Sequence, residues 1–319
     1  MSFTKSAGYT TPSQLRITQA GVKTGMFLSP FTPFTFTNMS ATGAAGPTAI
    51  NYSPLPSGTL SLSGGIQYWT VPSTRVYNFT VAGAGNYNPN SSAALKTGYG
   101  IILTASRSLT AGTVIAILVG QMGLVGTSDS RATGGSGGTF VATVTAAGSL
   151  AGATPLFIAG GSGGIGYQGG GTTDTNGTIA NNGRLGGASG GAGGTAPNGG
   201  GGGNASDGGA GYSGNGGACT FNGSTASLGI SFTNGGTGGT NNYYAAAYGG
   251  FGGGGAAGQI IFSNQYPAGG GGGGYGGGGG GASGGQGASG GGGGSYDITG
   301  GYSGSATNAG MGYVTVTGV

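Results

Sequence analysis

The chain has 319 residues, 88 of them glycine, only 4% charged residues against a usual quarter, a formal net charge of +4 and no His. It also has no Glu, and its only acids are Asp129, Asp174, Asp207 and Asp297. Such a composition excludes imidazole catalysis, paired-carboxylate hydrolysis and ordinary zinc sites, so a structural or binding protein without a cofactor is expected, not an enzyme.

The eight basic residues (Lys5, Arg16, Lys23, Arg75, Lys96, Arg107, Arg131, Arg184) are scattered, not gathered along a groove, so no nucleic-acid partner is expected. The single Cys219 cannot form an intrachain disulfide and is read as a buried thiol. The longest apolar run, Val114 to Val119, is far short of the ~20 residues that cross a bilayer, and the first residues lack the apolar core of a signal peptide. No membrane insertion is expected.

Residues 1–65 read as an attachment arm. Pro12, Pro30, Pro33, Pro47, Pro54 and Pro56 interrupt it, leaving room only for short strands at Gln14–Thr18 and Phe34–Thr37. Its aromatic residues Phe27, Phe31, Phe34 and Phe36 are the candidates for docking on a neighbouring subunit or a larger assembly.

From Ile66 to Ala159 the pattern becomes β. Gln67–Val71, Val76–Val81, Tyr99–Thr104, Val114–Val119, Thr139–Thr145 and Leu156–Ala159 are β-branched or aromatic and bounded by Gly, Pro, Asn or Ser. Val76 to Val81 alternates with period two, and Val114 to Val119 is apolar enough for a strand covered on both faces. A last alternating strand, Gly312–Thr317, needs partners, and the economical solution returns it to the same sheets. The fold class expected is mainly β with essentially no α-helix: an antiparallel β-sandwich of jelly-roll or TNF-like plan, made of residues 66–159 and 311–319.

Residues 160–310 are then one long insertion. Residues 151–319 hold 67 of the glycines, about 40% of that part. A plain flexible linker would not need Tyr167, Tyr212, Phe221, Phe232 and the later aromatics set between its glycine runs, and consecutive glycines exclude collagen. The remaining ordered solution is a bundle of polyglycine II helices, extended threefold helices that hydrogen-bond to their neighbours. Ordering the 12 glycines between Gly269 and Gly281 costs on the order of 12–24 kcal/mol. Hydrogen bonds at ~1 kcal/mol each, with ~0.5–1 more from each Cα–H···O contact, return a similar amount. Such helices survive only as a lattice clamped at its ends.

Several motifs fail on inspection. Thr80 to Asn86 lacks the third glycine, the helix and the acid of a dinucleotide loop, and no glycine run carries the Lys-Ser/Thr of a phosphate loop. No Ser has a His partner, and no two acids lie within ten residues for calcium. What remains are segments rich in Tyr, Asn, Ser and Ala: Thr220–Asn234, Asn241–Phe251, Gln259–Ala268 and Ser295–Tyr302. That is the chemistry of recognition loops, and equally of turns that cap a lattice. The recognition candidates are Tyr243, Tyr244, Tyr248, Phe251, Tyr266, Tyr275, Tyr296 and Tyr302.

Trp69-Thr-Val-Pro72, Asn78-Phe-Thr-Val-Ala-Gly-Ala-Gly85, Gly98-Tyr-Gly-Ile-Ile102, Ile117-Leu-Val-Gly-Gln-Met-Gly123, Gly137-Gly-Thr-Phe-Val141 and Leu156-Phe-Ile-Ala-Gly-Gly161 together resemble a glycine-rich domain family. That family includes viral and phage fibre proteins and the extracellular glycine-rich region of anaplastic lymphoma kinase receptors. The likeness covers about residues 66–319, and Phe34-Thr-Phe-Thr-Asn-Met-Ser-Ala-Thr-Gly43 is similar to the segment that precedes the domain in viral members. The plan also resembles the tail-fibre adhesins of T-even-like phages. The resemblance implies a virion surface fibre or fibre tip, extracellular and homotrimeric, attached to other virion proteins through residues 1–65. Its slab loops would contact a host surface glycan or outer-membrane protein. Truncation of residues 1–60 is expected to abolish incorporation without unfolding the rest.

Overall fold

The structure, a computed structural model, describes residues 31–92, 96–126, 132–167, 173–220, 227–240, 247–258, 266–283, 287–300 and 303–319. Phe31–Val319 form one compact unit. It is mainly β with antiparallel sheets. Two three-residue 3-10 turns, Thr173–Thr175 and Phe232–Asn234, are the only helix among the described residues.

Among the described residues thirteen strands follow in chain order: β1 Phe34–Phe36, β2 Thr59–Ser63, β3 Ile66–Thr70, β4 Arg75–Ala82, β5 Asn86–Tyr87, β6 Thr97–Gly98, β7 Gly100–Leu109, β8 Val114–Leu118, β9 Thr139–Val144, β10 Thr154–Ala159, β11 Tyr296–Asp297, β12 Ser303–Asn308 and β13 Tyr313–Gly318. One sheet runs β1-β13-β4-β7-β12, the other β11-β10-β9-β8-β3-β2, and β5 pairs β6. The C-terminal strand returns as expected: β13 lies between β1 and β4, with Val316 opposite both Phe34 and Phe79.

The six-stranded sheet is apolar on both faces. Trp69, Ile115, Ile117 and Val141 share a core with Tyr77, Phe79, Leu103, Val314 and Val316 of the five-stranded sheet. Ile66, Tyr68, Ala116, Leu118, Phe140 and Ile158 point the other way, onto Tyr212, Phe232 and Phe251. This double burial is why β8 reads as an unbroken apolar run. The five-stranded sheet instead alternates, burying one face and presenting hydroxyls on the other. Thr35, Thr315, Thr80, Thr104 and Ser303 stand opposite one another in one row across all five strands. Its two ends are tied by side-chain hydrogen bonds, Thr35 Oγ1 to Thr315 Oγ1 at 2.8 Å and Thr104 Oγ1 to Ser303 Oγ at 2.7 Å.

The expected arm at 1–65 does not stay separate from Phe31 onward. Phe34–Phe36 is β1, and Phe36 is 1% exposed, tilted against Trp69 at 6.1 Å. Phe31 packs edge-on against Tyr77 at 5.2 Å, and Phe34 against Tyr52 at 4.8 Å. A half-buried polar chain holds the following segment: the Thr37 N–H donates to Tyr52 Oη (2.7 Å), Tyr52 Oη to Gln67 Oε1 (2.8 Å), and Gln67 Nε2 back to Thr37 O (2.9 Å). The Trp69 indole donates to Ser57 O at 2.8 Å. These aromatic residues are apolar enough to dock, and they dock on their own sheets. Phe27 and Gln14–Thr18 lie outside the described residues.

Between Gly160 and Ser295 the described residues contain no strand, yet their amides are paired with a regular period. Gly269, Gly272 and Tyr275 donate to the carbonyls of Ala288, Gly291 and Gly294; Gly270 and Gly273 donate to Thr133 and Ser136; Gly271 and Gly274 donate to Asp207 and Ala210. Donor and acceptor both advance by three. The same run accepts from three further segments, through Gly278 and Gly281, Gly161 and Gly164, and Gly255. The next run repeats the pattern: Gly276 and Gly279 donate to Asn181 and Arg184, and Gly277 and Gly280 to Asn198 and Gly201. An extended chain that turns once in three residues makes no hydrogen bond to itself and offers successive amides to successive neighbours. Only hydrogen fits at the glycines from Gly269 to Gly281: a Cβ on Gly272 would lie 2.6 Å from Gly161 O and 2.7 Å from Ser162 O.

Candidate recognition face and attachment segment

The glycine slab has two unlike ends. At the sheet end the chain turns at Gly211–Gly214, Phe232–Gly235 and Tyr275, and these turns meet the outer face of the six-stranded sheet. Phe140 stacks on Phe232 at 5.0 Å, Phe232 on Tyr212 at 5.3 Å, and Tyr275 lies 4.4 Å from Tyr296 of β11. Tyr212 Oη donates to Ala153 O at 2.8 Å. Burial, then the neighbouring phenols Tyr275 and Tyr296, push the Tyr212 hydroxyl up to about 12.

At the far end the described flanks of the connecting segments are bonded together. The Gly126 N–H donates to Ala132 O, Thr220 to Gly203, Ser227 to Thr240, Ala257 to Ala247, Gly258 to Ala268, Tyr167 to Pro267, and Ala288 to Ala282. Ala132, Ala247 and Ala257 form a small apolar cluster there.

The expected recognition residues therefore divide. Phe251 is 0% exposed and belongs to the seam with the six-stranded sheet, so its ring is unavailable to a partner. The aromatic character that suggested recognition is spent on interior contact. Tyr275 and Tyr296 are half-buried in the same seam. Tyr266 pairs with Tyr167, ring centroids 5.1 Å apart, toward the far end. Tyr248, half-buried, lies on the far side of Phe251, its carbonyl accepting from the Leu124 N–H. Tyr243, Tyr244 and Tyr302 lie outside the described residues.

Two far-end features were missed from sequence. The turn Gly187–Gly190 holds Ala188 at φ 50° and Ser189 at φ 63°, exposed, in the left-handed region where a side chain costs roughly 1–2 kcal/mol per residue. Asn204 clasps Ser283, accepting from its N–H at 2.6 Å and donating to its carbonyl at 3.2 Å. Nothing in Ala-Ser or in a lone Asn announces either role.

The charged groups serve the scaffold. Arg184 pairs with Asp174 at 3.2 Å, and Asp297 accepts from both the N–H and the hydroxyl of Thr299. Asp207 is 2% exposed, and its carboxylate accepts from the Cys219 N–H at 2.8 Å. Burial pushes its carboxyl up to about 6, against that hydrogen bond, which lowers it. Cys219 itself is half-buried, less enclosed than the buried thiol expected. Among the described residues no three His, Cys, Asp or Glu converge as metal ligands, and no helix is long and apolar enough to cross a membrane. No protein-family model matches the chain, and neither does any curated protein.

Proposed function

We propose that the chain is a virion surface protein, a fibre or fibre-tip adhesin, that presents one end of a stiff glycine slab to the host cell. The observation that carries this reading is the asymmetry of the slab. One end is sealed by stacked aromatic rings against a sheet. At the other, bonded pairs of residues hold the bases of several connecting segments side by side, as a recognition surface requires. In the same reading the two sheets are the layers of a jelly-roll or TNF-like sandwich, supported by their shared core. The glycine runs are polyglycine II helices, supported by the three-residue step of their hydrogen bonds.

The sandwich is the unit that forms a homotrimer. Attachment to other virion proteins falls to residues 1–30, because Phe31, Phe34 and Phe36 are engaged within the body. The far-end segments contact a glycan or outer-membrane protein of the host, with no catalytic role.

Exchanging Asn241–Tyr248 for an unrelated segment of equal length, then measuring adsorption and host range, tests the adhesin. Altered adsorption on an intact particle supports it. Unchanged adsorption and host range would leave a fibre or capsid decoration without receptor binding, a reading that the interior placement of Phe251 favours.

A further inference from the structure

Among the aromatic pairs of the described residues, Tyr275 and Tyr296 approach most closely, with ring centroids 4.4 Å apart and planes inclined at 38°. Their main chains set this geometry. The Tyr275 N–H donates to Gly294 O at 2.8 Å, the Gly294 N–H returns to Gly276 O at 2.7 Å, and Tyr296 pairs with Ile158 of β10. Burial raises the Tyr275 hydroxyl, and the neighbouring Tyr296 phenol raises it further. Both rings are half-buried, held by the protein yet open to a small reagent.

We propose that Tyr275 and Tyr296 are an oxidative cross-linking site, at which a one-electron oxidant joins the two rings as dityrosine. Each phenol loses one electron and one proton. The two ring radicals couple through a new carbon–carbon bond between carbons ortho to oxygen, and the ortho hydrogens return to the oxygens as the rings regain aromaticity. With hydrogen peroxide as the terminal acceptor, the two electrons and two protons leave as two waters. The bond joins the turn between the two longest glycine runs to β11, the edge strand of the six-stranded sheet. A lattice whose stability comes from many weak main-chain bonds thereby gains a covalent tie at its clamped end. Holding two reacting rings in contact replaces a bimolecular encounter by an intramolecular one, so this pair outcompetes exposed tyrosines such as Tyr87 and Tyr99.

The test uses the full chain at low concentration, oxidised by photo-activated ruthenium tris-bipyridyl with persulfate, and read by dityrosine fluorescence and peptide mass mapping. The expected result is a linked pair of peptides carrying Tyr275 and Tyr296, two hydrogens lighter than their sum. Its yield should be at least about tenfold above that in concentrated urea, where the proximity is lost. Tyr296→Phe, which keeps the ring packing, should abolish that product while Tyr167→Phe leaves it. A yield equal in folded and unfolded chain, or tyrosine oxidation with no 275–296 product, overturns the proposal.

Discussion

Replacing Gly272 by Ala puts the closeness of the glycine slab to a quantitative test. The added methyl would sit 2.6–2.8 Å from Gly161 O, Ser162 O and Ser162 C, all main-chain atoms that cannot rotate away. Ordinary contact requires the neighbouring run to retreat by several tenths of an ångström. Overpacking of this kind costs about 1–3 kcal/mol. The retreat also stretches the bonds from Gly161 to Gly273 (2.8 Å) and Gly164 to Gly270 (2.7 Å), worth ~1 kcal/mol each. Alanine returns about 0.4–1 kcal/mol by restricting the unfolded chain. The net expectation is a loss of about 2–4 kcal/mol, or roughly 3–7 °C in midpoint by calorimetry. Gly201→Ala is the control, also in the slab but with its nearest neighbour, Ala192 N, at 3.4 Å. It should change stability by less than ~1 kcal/mol, in the favourable direction. Equal effects at the two sites, or a loss below ~0.5 kcal/mol at Gly272, would refute the claim that the runs are packed main chain to main chain.

Other outcomes follow from the same structure. Asp207 binds a proton more readily folded than unfolded, so its contribution to stability is fully present below about pH 4. It falls by on the order of 2–3 kcal/mol as pH rises through about 6. Asp207→Asn should flatten that slope in denaturant titrations at a series of pH values. Phe36→Ala removes a fully buried ring touching Trp69 and should cost about 3–5 kcal/mol in equilibrium unfolding. Deleting residues 1–60, which removes β1 and the Thr37–Tyr52–Gln67 network, should abolish cooperative unfolding, contrary to what the sequence alone leads one to expect. Amides of Gly269–Gly281 should exchange with deuterium far more slowly than a random peptide; exchange at the unstructured rate would contradict their pairing.

Much of the β framework was legible because burial writes itself into side chains. The apolar run of β8 and the alternation of β4 and β13 place those strands within a residue or two. β12 was not legible. Ser303-Gly-Ser-Ala-Thr-Asn308 has almost nothing to bury and is held by main-chain pairing to β7 and by hydroxyls. β2, Thr-Leu-Ser-Leu-Ser, does alternate, but the prolines around it made it look like arm. The aromatic residues between glycine runs were ambiguous for a physical reason. A ring offers the same apolar area to a partner as to its own sheet, and only the three-dimensional path of the chain decides which one Phe251 receives.

The place of β13 between β1 and β4 bears on how the molecule comes to be made. Its closest partners were synthesised more than two hundred residues earlier, and until Gly318 has emerged one sheet remains split into two unjoined parts. The sheet that β13 completes therefore rests on pairings between segments remote in sequence, the kind that form slowly. Closure of that sheet is thus a late event, and the unpaired edges of β1 and β4 stay open to other chains until β13 lies between them.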